Sequence, residues 1–179
     1  DEHGFQWLGH AEGFALHLFH FELEIGWQTL GDRVTRIDYP EPLAFACFAP
    51  VQGTRAAHQA LEAAGRTPAD IDGVIVACSN LPRAYPALSV EVQEALGIEG
   101  FGFDMNVACS SATFGIQNAA NTVALGQARA VLMVNPEVCT GHMSFRDRDS
   151  HFIFGDACTA VVIERAKDAV CEHPYEILG

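Results

Sequence analysis

Basic residues are scarce in this chain. Ten Lys and Arg stand against 23 Asp and Glu, a formal net charge of −13 over 179 residues. A nucleic-acid surface needs a cationic footprint to displace counterions from phosphates, so DNA and RNA are not expected partners. The same balance disfavours acidic protein partners unless the few cations cluster. Long apolar runs are lacking too: nothing approaches the ~20 consecutive apolar residues that cross a bilayer, and no membrane role is expected. The opening, DEHGFQWLGHAEG, is acidic and polar and lacks a secretory pattern. The six cysteines (47, 78, 109, 139, 158 and 171) include no CxxC pair. Most lie in apolar stretches, which reads as reduced thiols of a cytoplasmic protein rather than a disulfide framework or a zinc ribbon. Internal repeats and low-complexity runs are absent as well.

What is present is a globular composition, 49% hydrophobic, with enough length to bury a sizeable core as one domain. Residues 1–42 are the least patterned and form an unassigned N-terminal segment. Within it, FALHLFHFELEI (14–25) fits strand alternation, although helical spacing fits too. On a helix, His10, His17 and His20 would share a face as a zinc-ligand set does. No second ligand set completes such a site, so no metal is expected. Tyr39-Pro40-Glu41-Pro42 breaks the chain, because two prolines oppose both helix and central strand.

Residues 43–179 are sharper. Arg55 to Ala64 reads as a helix closed by Gly65, and Thr67 to Asp70 as a turn. GVIVACS (73–79) is an apolar strand covered on both faces, and NLPRAYP (80–86) is loop. Ser89 to Leu96 forms a helix that Gly97 ends. Phe101 to Val107 is expected to be a further buried strand, and so is AVLMVN (130–135), which Pro136 should stop. A polar loop over 140–150 leads into HFIFGD and a last strand, TAVVIER (159–165). Apolar strands alternating with helices predict an α/β fold with helices on both faces of the sheet.

The stretch from Phe101 to Gly126 carries the chemistry. A strand, a tight turn with Cys109, and an amphipathic helix follow one another, with Ser110, Ser111 and Thr113 in the first helical turn. Unpaired N–H groups and the positive dipole end of such a helix favour a thiolate, and the same donors can hold the oxyanion formed when it attacks an acyl carbonyl. A small residue at a strand-to-helix junction can equally be packing, since free cysteine is among the most buried residue types. The local residues alone leave both open.

Four motifs in order, DIDGVIVACSN, RAYPALSVEVQEALGI, FDMNVACSSATFGIQ and FIFGD, resemble the first half of a β-ketoacyl–acyl-carrier-protein synthase III over roughly residues 55–178. CSN, RAYPA and FGFDMNVACSS are most similar to the subgroup that accepts medium-chain acyl thioesters. The resemblance implies a thiolase-like half, a mostly buried mixed sheet with helices on both faces. It makes Cys109 the nucleophile that takes an acyl group from acyl-CoA, with its own backbone N–H as one arm of the oxyanion hole. It implies that Tyr85 helps close the partner's acyl pocket across a homodimer. Arg148 would pack against the adenine of coenzyme A, and Phe154 would line the acyl or pantetheine channel. Read without it, Tyr85 is a turn aromatic, Arg148 part of a solvated Arg146-Asp147-Arg148-Asp149 salt-bridge loop, and Phe154 strand core. Coenzyme A enters as substrate, and no cofactor is implied.

Three departures from the pattern carry expectations. The family's second half supplies a histidine and an asparagine that bind the malonyl thioester and stabilise its enolate. That half is expected to be absent from this chain, and none of the eight histidines stands in such a motif. The basic docking surface for acyl carrier protein also belongs mostly to that half. Residues 1–50 lack the family's opening motifs, and Ala157-Cys158-Thr159 follows the FGD turn where the family prefers glycine and alanine. The expected function is acyl transfer from acyl-CoA to Cys109, followed by decarboxylative condensation with malonyl-acyl carrier protein in the complete enzyme. The alternatives are a truncated, non-catalytic thiolase-fold fragment acting only by dimerisation, and a thiolase or polyketide-type condensing relative.

Overall fold

The structure is a computed structural model that describes Phe14–Glu22 and residues 42–144, 146–150, 152–172 and 174–177. Among the described residues, nine α-helices and strands build it: β1 (Phe14–Glu22), α1 (Pro42–Ala64), β2 (Gly73–Ala77), α2 (Leu88–Leu96), β3 (Phe101–Met105), α3 (Ser111–Ala124), β4 (Ala130–Val138), β5 (Asp156–Arg165) and β6 (Tyr175–Ile177). The strands form one mixed sheet in the order β3-β2-β4-β5-β1-β6. β2 pairs in parallel with both β3 and β4, whereas β4–β5, β5–β1 and β1–β6 are antiparallel.

Strand alternation sorts the core into two layers. Val74, Val76, Leu132, Val134, Ala160 and Val162 face α1 and α2, where Ala56, Ala60, Leu61, Leu88 and Val92 meet them. Ile75, Ala77, Val131, Met133, Val161 and Ile163 face α3 through Ala119, Ala120 and Val123. Each fully buried Ile, Leu, Val or Met side chain contributes about 1.5–3 kcal/mol. The alanine-rich face of α1 lets it lie close on the sheet: Ala56, Ala57, Ala60 and Ala64 are wholly buried.

Local chemistry sets the ends of the elements. Gly97 takes φ 70 and its N–H returns to the carbonyls of Gln93 and Glu94, closing α2 as expected. The other end of α2 is capped from outside. Ala87 has no side chain able to cap, and Asp104 of β3 accepts the N–H groups of Leu88 and Ser89 at 2.7 and 2.8 Å. Gly100, at φ 118, turns the chain into β3 where a Cβ would lie 2.1 Å from the Asp72 carbonyl oxygen, so only glycine fits.

Helices on both faces of a mixed sheet, expected from the sequence, are what the structure has. Several boundaries differ. Phe101 to Val107 is not a buried strand: β3 ends at Met105 and is the sheet edge, with Phe103 41% exposed. Pro136 does not stop β4, which continues to Val138. The Pro136 carbonyl accepts from the Cys78 thiol on the β2 side, so its missing N–H falls where the ladder with β2 has already ended at Val134. β5 starts at Asp156, earlier than 159, and α1 reaches back to Pro42, whose fixed φ suits a first helical turn. Residues 14–22 are strand, so the helical spacing that grouped His17 with His20 does not exist there, and His10 lies outside the described residues. This strand, drawn from the unassigned segment, pairs with β5 along its whole length.

Candidate active site

Cys109 sits on an elbow between β3 and α3. Asn106, Val107, Ala108, Cys109 and Ser110 make the turn, and Ala108 adopts φ 49, a left-handed conformation that costs a non-glycine residue about 1 kcal/mol or more. Five hydrogen bonds hold it. The Ala108 N–H donates to Asn106 Oδ1 at 2.9 Å, and the Ser111 hydroxyl donates to the Ala108 carbonyl at 2.7 Å. Ser111 Oγ also accepts the Val107 N–H at 2.8 Å. The N–H groups of Ser110 and Ser111 reach back to the carbonyls of Val107 and Ala108. Ser111 is buried while Cys109 is exposed, so the turn is anchored from below and presents its cysteine outward. Buried packing is therefore not the role of this cysteine. The positive end of α3 lies against the residue where an acyl-transfer oxyanion would form.

Behind α3, Gly115 brings the helix close to the sheet: a Cβ there would lie 2.7 Å from Ala77 Cβ and 3.1 Å from Met133 Cγ. Beside the elbow, the ends of β2 and β4 supply a polar wall. Glu137 accepts the Ser79 N–H at 2.7 Å, the Ser79 hydroxyl at 2.6 Å and the Asn80 amide at 3.0 Å. Asn80 Nδ2 also reaches Cys139 Sγ at 3.3 Å, and Asn106 Nδ2 donates to the Ser79 carbonyl at 3.0 Å. Asp156 of the FGD turn accepts the N–H and hydroxyl of Thr140 at 2.8 and 2.5 Å, tying the 139–142 turn to the start of β5.

The neighbouring thiols are held in the protonated form. Burial raises Cys78, and the Glu137 carboxylate raises it further. Burial raises Cys139, with Glu137, Asp156 and the nearby Cys109 adding to the shift. Among the described residues no group of three or more His, Cys, Asp or Glu side chains could hold a metal ion.

The other three residues singled out from the sequence lie at the surface. Tyr85 is 87% exposed in the loop after β2. Arg148 is exposed in a turn set by Asp147, which accepts the Asp149 N–H and the Ser150 hydroxyl. Phe154 precedes β5 rather than lying within it and is 55% exposed, beside Phe152 and Ile153, so it is not core. The sequence reading missed Ser79, Asn80, Asn106, Glu137 and Cys139. Their common signal is position: they follow or end the parallel strands β2, β3 and β4 at the carboxyl edge of the sheet, where open α/β sheets place their sites.

The family model for 3-oxoacyl-[acyl-carrier-protein] synthase III matches residues 103–173. A beta-ketodecanoyl-[acyl-carrier-protein] synthase of Pseudomonas aeruginosa PAO1 is 72% identical over 124 residues, which are 69% of this chain and 35% of that protein. A beta-ketoacyl-[acyl-carrier-protein] synthase III of Chelativorans is 40% identical over 113 residues, 63% of this chain and 35% of that one. Among solved structures, the priming β-ketosynthase of the R1128 polyketide biosynthetic pathway superposes with a TM-score of 0.63 at 37% identity, covering 66% of this chain and 36% of that one. The 3-oxoacyl-[acyl-carrier-protein] synthase III of Aquifex aeolicus VF5 gives 0.62 at 30% identity, covering 65% and 38%. The chain thus spans about 35% of the length of the curated relatives it matches. With the thiolase-like architecture and the motif order, these likenesses show that the chain resembles about a third of a 3-oxoacyl-[acyl-carrier-protein] synthase III.

Proposed function

We propose that this chain carries the acyl-accepting site of a condensing acyltransferase of fatty-acid synthesis. The observation that supports it most is the exposed Cys109 on a left-handed turn at the start of α3. In the proposed reaction the Cys109 thiolate attacks the carbonyl of an acyl-CoA thioester. The Cys109 N–H and the helix end stabilise the oxyanion, the bond to the coenzyme A sulfur breaks, and coenzyme A departs as a thiolate that takes up a proton. In the complete enzyme, malonyl-acyl carrier protein then loses carbon dioxide and its carbanion attacks the acyl-Cys109 thioester, freeing the cysteine. Tyr85, Phe154 and Arg148 take the pocket, channel and adenine roles, which suits their surface placement.

The acyl group proposed is octanoyl. The 72% identical relative is named for a ketodecanoyl product, and a condensation that adds two carbons reaches ten from eight. A homodimer is proposed on the exposed edge strand β3, and a cytoplasmic setting on the free thiols of the described cysteines. Mass spectrometry after incubation with octanoyl-CoA and shorter acyl-CoAs tests the first step. An octanoyl adduct on the peptide carrying Cys109, absent in Cys109→Ala, is expected. No adduct here, alongside a clean adduct on the full-length Pseudomonas relative, would remove the activity.

A non-catalytic, dimerising fragment is the second reading, and one observation favours it: Phe152, Ile153 and Phe154 form a consecutive exposed apolar run. Light scattering separates the two. A stable monomer that binds no apolar dye counts against the dimerising fragment.

A further inference from the structure

The elbow that presents Cys109 is tied to the rest of the sheet through one side chain. Asn106 uses both ends of its amide: Oδ1 accepts the N–H of Ala108, and Nδ2 donates to the carbonyl of Ser79, 27 residues away after β2. Ser79 is itself immobilised, because its N–H and its hydroxyl both end on Glu137. Glu137 is fixed in turn at the end of β4 and takes a further bond from Asn80. The chain of contacts therefore runs from the β4 end, through Ser79, to the one residue of the elbow with unfavourable φ. Ser111 braces the same turn, but only from within α3 and the turn itself.

We propose that Asn106 is the positioning residue of the nucleophile. It performs two separable tasks, closing the turn at Ala108 and fixing that turn against the β2 and β4 ends through Ser79 and Glu137. This rests on Cys109 being the reacting group, and it goes beyond that role by naming what holds the sulfur in place. Asn106 touches no reacting atom and acts through the backbone of Ala108. The chemistry of the residue fits both tasks. Asparagine tolerates and stabilises turns through its oxygen, and its NH₂ leaves a donor for a second partner, which an ionised aspartate lacks.

The test is the rate at which iodoacetamide alkylates Cys109 across pH 6 to 9, read by peptide mass spectrometry on the full chain. Cys171 serves as the internal reference. Asn106→Leu removes both bonds, whereas Asn106→Ser keeps a side-chain oxygen for the Ala108 N–H but cannot reach Ser79. Misplacing a reacting atom by a fraction of an ångström is felt strongly, so Asn106→Leu is expected to slow Cys109 alkylation by about tenfold, with Cys171 unchanged. Asn106→Ser is expected to fall between wild type and Asn106→Leu. Should Asn106→Leu fail to fold, the Asn106→Ser and Glu137→Gln variants carry the same comparison. Cys109 alkylation that matches wild type in rate and pH profile in the folded variants would overturn the proposal. The readout needs no acyl donor, so failure of the acyl-transfer reading leaves this comparison intact.

Discussion

Arg66 and Glu164, 98 residues apart, form an ion pair at 2.6 Å in which the Glu164 side chain is only 3% exposed. Arg66 follows the C-cap of α1, and Glu164 lies in β5, so the pair ties the end of the helix to the sheet strand that crosses beneath it. A second guanidinium nitrogen, Nε, reaches the same carboxylate oxygen at 3.0 Å, and Arg66 also donates to the Asp168 carbonyl. A buried carboxylate is tolerable only while so held.

Removing one partner should therefore cost far more than removing both. Arg66→Ala leaves Glu164 charged and buried, and a loss of about 3–5 kcal/mol is expected in urea unfolding. The double variant Arg66→Met/Glu164→Leu should recover much of that loss, because two apolar side chains need no partner. Equal destabilisation in the single and double variants would mean that packing, not charge, is what Arg66 supplies.

Asp72 gives the pH dependence a definite sign. Hydrogen bonds from Arg129, at its guanidinium and its backbone N–H, hold the Asp72 carboxyl below its ordinary value of 3.8. A carboxyl lowered by folding contributes stability that is complete above its unfolded value and is lost as pH falls through the lower folded value. The difference in unfolding free energy between wild type and Asp72→Asn should be constant from neutral pH down to about pH 4, then shrink. A difference that already declines between pH 7 and 5 would show that another group titrates there. Salt should weaken the effect, since Arg129 is largely exposed.

Thiol chemistry separates Cys109 from Cys78 and Cys158. Burial pushes the Cys158 thiol up to about 12 and raises Cys78 as well, whereas Cys109 is exposed. At pH 8 a thiol titrating near 12 is ionised to roughly one part in 10,000, and only the thiolate attacks an alkylating reagent. Brief iodoacetamide treatment of the native protein should label Cys109 and spare Cys78 and Cys158. Denaturant should make all three react alike. Native labelling of Cys158 as fast as Cys109 would contradict the burial of β5.

The Cys109 elbow was legible in the sequence because its parts are local: an apolar strand, a run of small residues and a helical period within 26 residues. The layering of α/β elements was legible for the same reason. What escaped depends on pairing between distant segments. Nothing in Phe101 to Met105 says that β3 has a neighbour on one side only, and Pro136 looks like a stop until its open side is seen to face no ladder. Asp104 reads as an odd acid in a strand, yet it caps a helix that starts 16 residues earlier. Asn106 and Glu137 are ordinary polar residues until the sheet brings them to one edge. Tyr85, Arg148 and Phe154 carry no local signal in the sequence beyond the family resemblance, because each is an ordinary exposed side chain in a loop.

Gly115 links the core to the chemistry. A methyl group there would sit 2.7 Å from Ala77 Cβ, an atom fixed to the backbone of β2, and 3.1 Å from the more adaptable Met133. α3 would have to lift from the sheet, carrying the Cys109 turn with it. Alanine is the better helix former by about 1 kcal/mol, so propensity alone predicts that Gly115→Ala is stabilising. Overpacking of about 1–3 kcal/mol opposes that gain, and the net change expected is a loss. Acylation of Cys109 by octanoyl-CoA should fall by a larger factor than stability implies, because a small displacement of the sulfur is felt fully in the rate. Gln117→Ala, on the exposed side of the same helix, should change neither. A Gly115→Ala protein that melts higher than wild type and acylates at the same rate would show that α3 has room to spare, and that its close seat on β2 is not what aims the cysteine.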